Sequence, residues 1–70
     1  MQTGRYQVYV FSMNPSAVDL FVDGQFRKIL APGDAATTLN LEEGAHKIEV
    51  DYWSAEIDVP GQEIVRIPAR

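Results

Sequence analysis

The chain has no cysteine and a single histidine among its 70 residues. It therefore has no disulfide framework and no thiolate metal site, and without CxxC or HxxxH spacing it shows no structural zinc pattern. Basic residues are sparse. Arg5, Arg27, Lys28, Lys47, Arg66 and Arg70 are scattered against ten acidic residues, and the net charge is −4. Neutralising phosphates needs clustered Lys and Arg, so nucleic acid is not an expected partner. No apolar run approaches the roughly 18–20 residues that span a bilayer, so direct membrane insertion is not expected either. The N-terminal stretch lacks a basic segment followed by an apolar block, so no signal peptide is expected in this chain. Met1 as a native start would point to the cytoplasm; a domain cut from a longer envelope protein would be extracytoplasmic. The five glycines stand alone, which leaves no glycine-rich phosphate loop, and no cofactor is expected.

Apolar residues recur with period two rather than 3.6, and turn signals return about every eight to ten residues. The expectation is a single all-β domain over residues 1–70: a small sandwich of about seven antiparallel strands with no long helix. The stretch Leu39–Val50 alternates on both sides of Glu42-Glu43-Gly44-Ala45 and reads as a central β-hairpin with one buried face. The predicted strands are Arg5–Ser12, Ala17–Asp23, Gln25–Leu30, Ala36–Leu41, Ala45–Tyr52, Ala55–Val59 and Glu63–Pro68. Ala31-Pro32-Gly33-Asp34 reads as a loop. At Asp23-Gly24 a strict two-residue turn pairs Phe21 with Phe26. A three-residue turn with Gly24 as a bulge buries Phe26 beside Leu20, and is preferred because it matches the apolar faces.

Three stretches resemble the PEGA domain family: AVDLFVDG, LNLEEGAHKIEV and PGQEIVRIP. Val22-Asp23-Gly24, the Leu39-x-Leu41 strand, Glu43-Gly44-Ala45, the strand through His46, Ile48 and Val50, and the Pro60-Gly61-Gln62 turn carry the likeness in order. Glu42 stands where Pro is usual, the Gly-x-Thr-Pro before the Leu-x-Leu strand is missing, and Tyr52-Trp53 replaces the usual Gly-Tyr. NPSAVDLFVDG is also similar to a related group of bacterial envelope domains. The resemblance implies an immunoglobulin- or prealbumin-like sandwich, non-enzymatic, appended to surface or signalling proteins. It supplies no catalytic residue.

Two side-chain sets are candidates for function. Tyr9, Phe11 and Phe21 lie opposite the core-facing alternation, and Trp53 joins them. If the first two strands are neighbours, these rings form one exposed patch, an interface for a protein partner or a second copy. Stacking on carbohydrate, with Tyr52 and Trp53 at a strand end, is the alternative, and barrel-like curling that buries part of both faces is the plainer reading. The second set is acidic. Folding residues 47–59 about Trp53-Ser54 sets Asp51 opposite Glu56 and Glu49 opposite Asp58. Such a patch suits a basic partner or a weak Ca²⁺ site; a solvated face relieved by Lys47, Arg66 or Lys28 is preferred. His46 reads as a structural residue near a turn, and Asp19, Asp23 and Asp34 as turn and ion-pair residues. No catalytic or metal-ligating constellation is found, so the expected function is contact by surface burial rather than catalysis, with self-association or docking on a larger assembly.

Overall fold

In the computed structural model, residues 4–33 and 36–70 are described, and Asp34 of the expected loop lies outside them. Seven strands follow in order: β1 (Arg5–Ser12), β2 (Val18–Val22), β3 (Gln25–Leu30), β4 (Ala36–Glu42), β5 (Gly44–Val50), β6 (Trp53–Val59) and β7 (Ile64–Ile67). They form a three-stranded sheet, β4-β1-β7, and a four-stranded sheet, β3-β2-β5-β6. The pairing is antiparallel except between β1 and β7, which run parallel. Because period-two alternation sends every second side chain to one face, each sheet buries one side, and the two buried sides meet.

The core is entirely aliphatic. It takes Val8 and Val10 from β1, Leu39 and Leu41 from β4, and Val65 and Ile67 from β7. The other sheet supplies Leu20, Val22, Leu30, Ile48, Val50, Ile57 and Val59. Tyr6, Val18, Tyr52 and Trp53 pack against its margins. No aromatic ring in the chain is fully buried.

Two sequence expectations about neighbours fail. Leu39–Val50 is not a hairpin. β4 pairs with β1, β5 pairs with β2 and β6, and the chain crosses between sheets at Glu43. Gly44 takes φ +128 at this corner, where a side chain would be strained, and Glu43 N–H donates to Gly4 O at 3.1 Å. Alternation identifies the buried face of a strand but not its neighbour, so strands on opposite sides of one core look like a hairpin in sequence.

The preferred Asp23-Gly24 bulge is also replaced. Asp23 (φ 53) and Gly24 (φ 83) form a two-residue turn with both central residues left-handed, and Val22 pairs with Gln25 and Phe21 with Phe26. The register shift comes later, between Leu20 and Phe21 on β2, and leaves Arg27 as the extra residue of β3. Phe26 therefore points outward and is 54% exposed. The matching twist of such a turn outweighs the burial of one ring.

Asn14 fastens one end of the sandwich. It is buried, and its side-chain NH₂ donates to Ser16 O at 3.0 Å while its Oδ1 accepts from Arg70 N–H at 3.2 Å. Its backbone O accepts from Gly33 N–H at 2.8 Å. One residue thus joins the β1–β2 loop, the β3–β4 loop and the C-terminal segment. Asn14→Ala leaves the Arg70 amide and the Ser16 carbonyl without their partner. It should lower unfolding free energy by about 1–3 kcal/mol, read from the midpoint of urea denaturation at unchanged slope.

Candidate functional site

The four rings grouped by sequence do not form one patch. β1 and β2 belong to different sheets, so Tyr9 and Phe11 face outward on one side of the sandwich and Phe21 on the other. Trp53 starts β6 and packs partly buried against the core margin. The Tyr52 hydroxyl donates to Pro68 O, and the Arg70 guanidinium lies over the Tyr52 ring at 5.3 Å. No open aromatic platform is built from these two residues.

Each outward face nevertheless carries an apolar group. On the three-stranded sheet, Tyr9 on β1 is in register with Ile64 on β7, and Phe11 with Arg66. Ile64 is 61% exposed, and Arg66 lies 5.2 Å from the Phe11 ring centroid, within cation–π range. On the four-stranded sheet, Phe21 and Phe26 meet edge to face at 5.8 Å, and Ile29, 63% exposed, is in register with Asp19. Sequence reading missed Phe26 and Ile29 because the bulge at Arg27 resets the alternation of β3 after Phe26. Ile64 had a signal, since it alternates with buried Val65 and Ile67, but so short a strand fixes its facing weakly.

The expected acidic register is corrected as well. The β5–β6 turn is Asp51-Tyr52, not Trp53-Ser54, so Val50 pairs with Trp53, Glu49 with Ser54, Lys47 with Glu56 and Ala45 with Asp58. The shift is two residues, which preserves the buried face. It replaces both like-charge pairings, one of them by Lys47 opposite Glu56. Asp51 instead accepts from the Arg70 guanidinium at 2.7 Å. Glu49 lies across from Phe21 on β2. Among the described residues, no group of three or more His, Cys, Asp or Glu is placed to hold a metal ion.

His46 has a defined role. Its Nδ1–H donates to Asp23 Oδ2 at 2.7 Å and its Nε2–H to Glu42 O at 2.6 Å. The other Asp23 oxygen accepts from Lys47 N–H at 2.9 Å, and Asp23 N–H donates to Lys47 O at 2.9 Å. With acceptors at both ring nitrogens the imidazolium is the satisfied form, leaving no ring lone pair for base catalysis. The Asp23 hydrogen bond first, then the Glu42 carbonyl, holds the His46 pKa above its ordinary value against some desolvation. For Asp23, burial is the largest single influence and acts upward. The Lys47 amide and His46 together overcome it, and the carboxyl titrates below its usual range. The clasp pins the β2–β3 turn to the start of β5, just past the crossing between sheets. Its partners are 23 residues apart, so no local pattern announces it.

The clasp makes stability depend on pH with opposite signs at its two groups. The His46 contribution is complete below the ordinary histidine value of 6.5 and is lost as pH rises through the raised folded value. The Asp23 contribution is complete above 3.8 and is lost as pH falls through the lowered folded value. Stability should therefore contain a component that is greatest between those two limits and declines on either side. Asp23→Asn should remove that component and return the His46 titration, followed by NMR, toward that of an exposed histidine. An unchanged His46 titration in Asp23→Asn would show that the carboxylate does not set it. No protein-family model matches the chain, and neither a curated protein nor a solved structure shows significant similarity to it.

Proposed function

We propose that this chain is a non-enzymatic β-sandwich module that works by surface contact, self-associating or docking on a larger protein assembly. The supporting observation is surplus apolar surface. The core is closed by aliphatic side chains, yet Tyr9, Phe26, Ile29 and Ile64 are each at least 40% exposed on strand faces. Exposed apolar groups that cluster in register on a sheet, rather than singly, mark contact surfaces. The likeness to PEGA domains belongs to the same proposal, as that of a small sandwich appended to bacterial envelope or signalling proteins.

The reading requires that these side chains serve a partner and not the domain's own stability. At a dilution where the chain is monomeric, Ile29→Ser and Ile64→Ser should each change unfolding free energy by about 0.5 kcal/mol or less. Leu20→Ala, fully buried in the core, should cost about 2–5 kcal/mol. The same two serine variants should lose binding of an apolar-surface dye that the folded wild type binds. Core-sized losses at Ile29 and Ile64 would mean the residues pack within the domain, and the contact reading would fail.

A further inference from the structure

The two outward faces hold the same apolar inventory with opposite charge. The face of the three-stranded sheet offers two rings and an isoleucine, Tyr9, Phe11 and Ile64, with Arg66 in register beside Phe11. Arg5, further along β1, lies 3.7 Å from Glu42, so Arg66 is the cation of this face without an acidic partner among the described residues. The face of the four-stranded sheet also offers two rings and an isoleucine, Phe21, Phe26 and Ile29. Around them carboxylates outnumber cations: Asp19 stands beside Ile29 and Glu49 beside Phe21, neither with a basic partner among the described residues, while Lys47 on the same face is opposite Glu56.

We propose that these faces are the two halves of one heterologous interface between copies of this chain. The arginine-bearing face of one copy seats on the carboxylate-bearing face of the next. This rests on the surface-contact reading and names its partner as a second copy. Charge decides the pairing. Like face on like face would set Arg66 near Arg66, or Asp19 and Glu49 near their own counterparts, and close like charges are repelled. Unlike faces bring Arg66 to carboxylates and stack rings on rings, at the roughly 10 Å spacing at which sheets pack face to face. Edge-to-edge growth through β3 is opposed by the Arg27 bulge and by Lys28, whose Nζ is turned toward Thr38 O at 3.0 Å. Because the two faces lie on opposite sides of the sandwich, repeating the contact does not close a dimer but extends a stack.

Sedimentation of the whole chain tests this with one variant for each face. Arg66→Glu combined with Ile64→Ser disables one face; Glu49→Arg combined with Phe26→Ser disables the other. Far-UV circular dichroism first checks that each folds. If Phe26→Ser loses the strand signal, Ile29→Lys takes its place on the same face. Wild type should increase in mass with concentration without settling at a dimer, and added salt should weaken the association. Each variant alone should sediment as a monomer, with association weakened roughly tenfold or more. Mixed in equal amounts, the two variants should form a 1:1 dimer and stop there, because each retains the face the other lacks. A variant that still dimerises alone would show a like-on-like contact and overturn the proposal. A wild type that stays monomeric at millimolar concentration would overturn it too, while leaving contact with a different protein intact. Core-sized destabilisation by Ile29→Ser and Ile64→Ser would instead defeat the contact reading itself.

Discussion

The layer between the two sheets is filled by branched aliphatic side chains, and this constraint shapes the rest of the molecule. Valine, leucine and isoleucine from all seven strands fill that layer, from Val8 on β1 to Ile67 on β7. At about 25 cal/mol per Å² their burial is the main favourable contribution available to so short a chain. Replacing one of them by a larger ring would add volume to a layer already filled, which is destabilising by about 1–3 kcal/mol. The seven aromatic residues are accordingly placed at the margins or on the outer faces. Tyr6, Tyr52 and Trp53 seal the margins, and the other four stand outside.

An aliphatic layer is non-directional, so it does not choose which strands pair. That choice comes from polar contacts at the ends of the strands. The Asp23–His46 clasp sets the β2–β3 turn against β5, and the buried Asn14 holds two loops and the C-terminal segment together. Lys28 reaches from β3 to the Thr38 carbonyl on β4 and joins the two sheets along their shared edge. No buried side-chain polar atom among the described residues lacks a hydrogen bond. Satisfied polar contacts of this kind add little net free energy, but breaking one is costly, so they specify a topology more than they strengthen it.

Those two roles explain what could be read from the sequence. Alternation in YQVYVFS, VDLFV and LNLE gave the strands and their buried faces, because a period of two is a local property. β1 and β3 were read with their observed ends, and the absence of a long helical period excluded other fold classes. Neighbour relations were not local. Leu39–Val50 looked like one hairpin but is two strands in different sheets, and the condition for one aromatic patch, that β1 and β2 be neighbours, is not met because they too lie in different sheets. The acidic register failed for a related reason: placing the turn at Asp51-Tyr52 or two residues later buries the same residues. Where two registers share a buried face, opposite charges at Lys47 and Glu56 and the turn geometry decide between them.

Dividing the rings between two faces changes what the surface is suited to do. Four rings on one side would form a single sticky patch, satisfied by one partner and then finished. Two smaller groups on opposite sides leave a molecule with two poles. The sequence separates charge along the same axis, with Arg66 on one face and Asp19 and Glu49 on the other. A chain of net −4 would ordinarily repel its own copies. If copies meet as proposed, the Arg66 cation on one apolar face is where that repulsion is locally reversed. Of the four edge strands, β3 carries a bulge and Lys28, which oppose sheet extension along that edge. Contact through the faces, as proposed, would depend on side-chain identity rather than on backbone hydrogen bonding.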